Sequence, residues 1–160
     1  MSGKFIVFEG VEGSGKTTQI QQTADWLQNW CGKDRSTIVT REPGGTKLGR
    51  QIRQLLLDDP ESLVNNRTEL LLYGADRAQH VESVIRPHLD RGDFVLCDRF
   101  TDSTIAYQGY GRGFDRDRID MVNQIATDGL QSDLTFWLDL DVTIGLERVL
   151  LRGKPDRMER

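Results

Sequence analysis

Phe5-Ile6-Val7-Phe8 is a continuous apolar run, and after Glu9 the chain reads Gly10-Val11-Glu12-Gly13-Ser14-Gly15-Lys16-Thr17. No other stretch restricts the fold as tightly. The run is β-branched and aromatic, which suits a parallel strand buried on both faces. The octet satisfies Gly-x4-Gly-Lys-Thr at every fixed position, the phosphate-binding P-loop pattern. Its glycines let the backbone adopt positive φ and turn N–H groups inward around an anion. The helix expected to begin at its end adds partial positive charge. Lys16 can reach the β- and γ-phosphates of a nucleoside triphosphate, and the Thr17 hydroxyl suits a Mg²⁺ position.

The remaining pattern extends this unit into an α/β domain. Ile20, Ala24, Leu27 and Cys31 share one helix face, which Gly32 ends. Thr37-Ile38-Val39-Thr40 reads as a second strand, stopped by Pro43-Gly44-Gly45. Leu48, Ile52, Leu55 and Leu56 predict a short helix breaking near Asp58-Asp59-Pro60, and a longer one runs through Leu70, Leu71, Ala75, Ala78, Val81 and Ile85, closing near Pro87. Phe94-Val95-Leu96-Cys97 is a third buried strand. Thr101 to Gly113 reads as a Gly-rich functional loop with a helical piece inside it. Ile119, Val122, Ile125 and Ala126 form another helix face, Leu134–Leu138 a fourth strand, and Ile144 to Leu151 a last helix. Strands alternating with helices imply right-handed crossovers and a parallel sheet covered on both faces.

Composition narrows the function. The 160 residues suit one domain, and 25 Asp and Glu outweigh 21 Lys and Arg for a net charge of −4. With a pI near 5.2, a general nucleic-acid or membrane-surface binder is disfavoured. No apolar run approaches the roughly 18 residues of a membrane span. The N-terminus has no signal-peptide pattern, so a cytoplasmic location is expected. Cys31 and Cys97 are too few for a disulfide framework or a zinc site.

Phe94-Val95-Leu96-Cys97-Asp98 puts a carboxylate at the carboxyl edge of the sheet, where it can hold a Mg²⁺-bound water. A GTPase switch is disfavoured, because no guanine-reading Asn-Lys-x-Asp occurs.

Several blocks together are similar to the bacterial thymidylate kinases. They are Glu9 to Thr18, Thr40-Arg41-Glu42-Pro43-Gly44-Gly45-Thr46, Asp98-Arg99-Phe100, Ala106-Tyr107-Gln108-Gly109, and Arg152-Gly153-Lys154-Pro155-Asp156-Arg157-Met158-Glu159. They stand in that family's order and spacing across essentially the whole chain. The resemblance implies a P-loop NTPase fold, with a parallel sheet of order 2-3-1-4 flanked by helices and the final family strand missing. It implies one nucleoside monophosphate kinase domain over residues 1–160 that stops within the lid, about residues 148–160. The implied reaction is Mg²⁺-dependent in-line transfer of the γ-phosphoryl group of ATP to dTMP, giving dTDP, with no nucleic-acid or membrane partner. Family members are commonly homodimers, and that state is expected of the full-length protein.

The resemblance also assigns residues. Gly10, Val11, Glu12, Gly13, Ser14, Gly15, Lys16, Thr17 and Thr18 would bind ATP, with Thr17 and Asp98 toward the metal. Arg99 would clamp the dTMP phosphate as a planar two-pronged donor. Tyr73, where the family usually has Phe, would stack on thymine, and Arg77 one turn later would hydrogen-bond the base. Ser103, Thr104 and Gln108 would line the base pocket, and Tyr107 would crowd the ribose 2′ position. Glu12, inside the loop, would engage the sugar hydroxyl, Mg²⁺ or a partner Arg.

Arg148, Arg152, Lys154, Arg157 and Arg160 form a basic cluster in an acidic chain. Arg152 and Arg157 coincide with the family's closing lid, Arg152 being the first choice for the catalytic arginine and Arg157 the second, while Arg148 reads as a helix-face bystander. A dianionic phosphate monoester needs no general base, so His80 and His88 are read as structural or surface residues. Two rivals remain open: a kinase for another nucleoside monophosphate, and an ATP-binding fragment without turnover.

Overall fold

The computed structural model describes residues 2–31, 35–58 and 64–152; the side chains of Asp58 and Arg152 fall outside that description. Four parallel strands, β1 (Lys4–Gly10), β2 (Thr37–Arg41), β3 (Phe94–Asp98) and β4 (Leu134–Leu138), form one sheet in the order β2-β3-β1-β4. Val7 pairs with Cys97 and Phe8 with Asp98 on one side of β1, and Glu9 pairs with Trp137 on the other.

Strand periodicity sorts the core into two layers. Phe5, Val7, Val95 and Cys97 face Val81, Ile85 and Phe100, whereas Phe8, Phe94 and Leu96 face Ile20, Ala24 and Leu27 of helix α1 (Lys16–Cys31). Both faces of the two central strands are therefore covered, which explains why β3 is apolar throughout up to Asp98. Among the described residues strand β4 pairs with β1 alone, and its Leu134, Phe136 and Trp137 are exposed.

Helix α2 (Lys47–Arg53) starts at Thr46, whose hydroxyl accepts from the Gly49 N–H, and continues as a π-type turn over Gln54–Asp58. Helix α3 (Asn66–His80) passes through a π-type turn (Val81–Ile85) into α4 (Arg86–Asp90). The helical path thus does not close near Pro87. The ring falls at the first turn of α4, where a missing N–H is tolerated, and the chain runs on to Asp90.

The segment from Thr101 is likewise more regular than a loop. It forms α5 (Thr101–Thr104) and then π-type turns over Ile105–Gly111. In α6 (Arg116–Thr127) the inward face is Ile119, Asn123, Ala126 and Thr127, and Ile125 is exposed. The expected apolar stripe is rotated because Asn123 is drawn inward as an acceptor for Arg77. Helix α7 (Val142–Arg152) follows β4. No described helix is long and apolar enough to cross a membrane.

Candidate active site at the carboxyl edge of the sheet

The glycine-rich loop joins β1 to α1 with Gly10, Gly13 and Gly15 all at positive φ. Gly13 requires hydrogen for a second reason: a Cβ there would lie 2.5 Å from Gly145 O, where α7 packs on the loop. Lys16 is buried and folds back over the loop, its Nζ donating to Gly10 O and Val11 O at 3.0 Å each. Burial, reinforced by Arg99, pushes this ammonium below the ordinary lysine range. Thr17 and Thr18 are exposed on the first turn of α1. The Ser14 hydroxyl oxygen is buried without a hydrogen-bond partner among the described residues.

Arg148 was expected to be a bystander, but it is part of this structure. Its NH1 donates to Gly13 O at 3.0 Å, because the Gly13–Gly145 approach brings α7 against the loop. Arg152 closes α7, and its side chain, like the whole of Arg157, lies outside the described residues.

Asp98 ends β3 beside the loop. Burial pushes its carboxyl upward, and its Oδ1 is buried with no hydrogen-bond partner among the described residues. The next residue, Arg99, has φ of +71°, which turns the chain sharply off the strand. That turn sends its guanidinium back over the loop, where NH2 ion-pairs with Glu12 and NH1 donates to Ser103 Oγ at 3.0 Å. The Tyr107 ring lies under it, 5.4 Å from the guanidinium carbon to the ring centroid. Burial alone would raise Glu12, but Arg99 and Lys16 hold its carboxyl below the usual carboxylate range. Glu12 thus has Arg99 as its partner, with Lys16 Nζ 4.0 Å away.

Glu9 fastens the following helix. It accepts from Phe100 N–H at 2.8 Å, Ser103 N–H at 3.3 Å and Ser103 Oγ at 2.7 Å, acting as the cap of α5. Burial raises its carboxyl despite these bonds.

A cavity of about 250 Å³ opens beside this group. Its lining includes Glu12, Thr17, Asp98 and Arg99 as well as Tyr73, Arg77, Ser103, Thr104, Tyr107 and Gln108. Gly10, Val11 and Glu12 also border an adjoining cavity along β4.

Arg77 is almost wholly buried, and four of its five N–H donors are taken. Nε meets Glu42 Oε2 at 2.8 Å, NH1 meets Asn123 Oδ1 at 2.6 Å, and NH2 meets Phe100 O at 2.9 Å and Thr104 Oγ1 at 3.0 Å. Among the described residues, the second N–H of NH1 has no acceptor and is the donor left for a bound base. His80, also buried, lies between Glu42 Oε1 (2.9 Å from Nδ1) and Thr40 Oγ1 (2.6 Å from Nε2). A carboxylate only accepts, so Nδ1 carries the ring proton that faces Glu42.

Residue-level reading missed Glu9, Glu42, Asn123, Glu69, Arg53 and Arg41. Glu9, Arg41 and Glu42 stand in family-like blocks without an assigned role, and an acidic residue between a strand and Pro-Gly-Gly is a candidate buried charge. Asn123 carried no signal beyond being, with Thr127, a polar residue on the inward face of its helix. Arg41 and Arg53 add cationic charge to the cavity wall, Arg53 donating to Pro43 O at 3.1 Å.

These elements form a P-loop kinase-type α/β fold with a phosphate-binding loop and a cation-rimmed cavity on one sheet edge. The family described as "Thymidylate kinase" matches residues 8–160. A thymidylate kinase of Cyanothece sp. is 58% identical over all of this chain and 75% of its own length, and one of Trichodesmium erythraeum is 59% identical over all of this chain and 76% of its length. The crystal structure of thymidylate kinase from Ehrlichia chaffeensis superposes with a TM-score of 0.81 at 43% identity, covering 93% of this chain and 78% of that one. The chain belongs to the thymidylate kinase family.

Asp76 gives the site a pH-sensitive neighbour. It accepts from Gly44 N–H at 3.1 Å through Oδ1, while its buried Oδ2 has no partner. Burial, with the Glu42 charge, pushes its pKa up to about 6. The folded chain therefore holds this proton more tightly than the unfolded chain, and stability falls as pH rises from about 4 through 6. Asp76→Asn removes that loss, so the variant should gain up to roughly 3 kcal/mol relative to wild type between pH 4 and 7. Urea melts across that range check this, and parallel curves for the two proteins would exclude it.

Proposed function

We propose that this chain transfers the γ-phosphoryl group of ATP to the phosphate of dTMP. The observation that carries the reading is a shared lining: one cavity is bordered by Thr17 and Asp98 beside the glycine-rich loop and also by Tyr73 and Gln108. The first pair suits a phosphate tail and the second a pyrimidine, so two anions meet near Lys16 and Arg99. Relatives named thymidylate kinases at 58% and 59% identity support the same reaction.

Phosphoryl transfer of this kind rests on positioning and charge stabilisation. Loop N–H groups from Gly10 to Thr18 hold the β- and γ-phosphates. Lys16 leaves the loop carbonyls for those oxygens. Arg99 exchanges Glu12 for the dTMP phosphate, which its fork grips in line with the transferred group. The acceptor is a dianionic oxygen, so no general base is assigned. The partnerless Asp98 Oδ1, with Thr17 lining the same cavity, fits a Mg²⁺ held through one carboxylate, a hydroxyl and phosphate oxygens. When bound, that ion neutralises charge on the transferring phosphates. Tyr73 stacks on thymine, Arg77 donates its remaining N–H to the base, and Ser103, Thr104 and Gln108 complete the base contacts. Tyr107 crowds the ribose 2′ position. Arg152, with Arg157 second, is assigned the arginine that closes on the transferred group.

A coupled assay across dTMP, dUMP, dCMP and AMP tests the reaction, with dTMP expected to dominate. Lys16→Ala should abolish ADP formation while dTMP binding stays near wild type. Arg99→Ala should weaken dTMP at least tenfold more than ATP. Equal losses for both nucleotides would sink the acceptor-site assignment.

We also infer a homodimer. Leu71 on α3, with Met121 and Ile125 on α6, is exposed on two helices that pack together, Gly74 against Val122. This apolar face suits a second copy. Sedimentation should give twice the 18.2 kDa chain mass and fall to one for Met121→Glu with Ile125→Glu; a monomeric wild type would overturn the inference.

A further inference from the structure

Gln108 is nearly sealed from solvent, yet it borders the cavity. Its Nε2 donates to Glu69 Oε1 at 3.0 Å. Glu69 is itself fully buried, and Arg112 grips both its oxygens, Nε to Oε1 at 3.1 Å and NH2 to Oε2 at 3.3 Å. Glu69 lies on α3 one turn before Tyr73 and two before Arg77, so all three share the helix face toward the cavity. Both oxygens face donors, Oε1 taking Gln108 Nε2 and Arg112 Nε and Oε2 taking Arg112 NH2, so beside this guanidinium the carboxylate acts as an acceptor.

That chemistry leaves the Gln108 amide one orientation. Its NH₂ must face Glu69, so its carbonyl oxygen points the other way, and no described residue donates to Oε1. We propose that the Glu69–Arg112 ion pair fixes the direction of the Gln108 amide, so that the cavity offers an acceptor to the 3-position of a pyrimidine and selects bases carrying N3–H. Glu69 and Arg112 are then positioning residues, acting through Gln108. A 4-oxo pyrimidine such as thymine satisfies the acceptor. A 4-amino pyrimidine brings a bare N3, which sets lone pair against lone pair and strands a buried polar atom.

The inference rests on the proposed dTMP site, and binding of two probes separates the two. dTMP and 5-methyl-dCMP differ only at positions 3 and 4 of the ring, so their affinity ratio reads the amide direction, whereas general loosening would weaken both alike. For the wild-type chain, calorimetry should give a preference for dTMP of about 100-fold or more. Binding of neither nucleotide would break the underlying site reading.

Glu69→Gln keeps the shape but can donate as well as accept, so the Gln108 amide can turn over. The preference should fall at least tenfold, and the Arg77 donor toward position 4 should keep some of it. Arg112→Gln should act in the same direction, because it removes the cation that holds Glu69 as an acceptor; it carries the test if Glu69→Gln does not fold. Arg112→Lys preserves the charge and should leave the ratio near wild type. A wild-type ratio in folded Glu69→Gln or Arg112→Gln would overturn the proposal.

Discussion

The Arg77 guanidinium is the knot of this structure. It cannot lose its charge, and it is almost completely removed from water, so it must be surrounded by acceptors. Those acceptors come from four places: Glu42 after β2, Phe100 O after β3, Thr104 on α5 and Asn123 on α6. Burying an ion pair adds little net stability, but breaking one costs about 3–5 kcal/mol. The bonds therefore act mainly as registration, since any displacement of these segments leaves a buried charge short of a partner. Glu42 carries a second tie through His80 to Thr40, which holds the end of β2 on the same helix.

The apolar layers explain why this polar knot can be tolerated. Two central strands, closed off by α1 on one side and by the Val81–Ile85 turn on the other, supply the burial. All the charged chemistry is displaced to their carboxyl ends. The cavity is thus a rim feature, and its walls come from turns and helix starts. Glu9 and Arg99 show how the two regions meet: one carboxylate at the end of β1 caps α5, and a left-handed backbone at the end of β3 turns its guanidinium back toward the loop.

Much of the fold was legible because the signals were local. The run Phe5–Phe8, the glycine octet and the strand ending at Asp98 each carry their meaning within a few residues, and all formed the elements expected of them. The misreadings came where tertiary demands outweighed period and propensity. Pro87 fits because it falls at the start of a new helical turn, Ile125 points outward because Asn123 must point in, and Thr101–Gly111 coils because Glu9 caps it from a distant strand. At the site, the cavity-lining residues Tyr73, Arg77, Arg99, Ser103, Thr104, Tyr107 and Gln108 were named by the family resemblance. Residues facing other residues, such as Glu69 beneath Gln108, were not, because their partners lie far away in the chain.

The contact between Glu12, Arg99 and Lys16 gives the rim the character of an ion exchanger. Each cation leans on an anion or carbonyl of the protein's own, so like charges sit close without forcing the walls apart. On the proposed site, an arriving phosphate swaps one partner for another. Affinity then records a difference between two sets of similar bonds, so a strong grip on the nucleotide need not come with slow release.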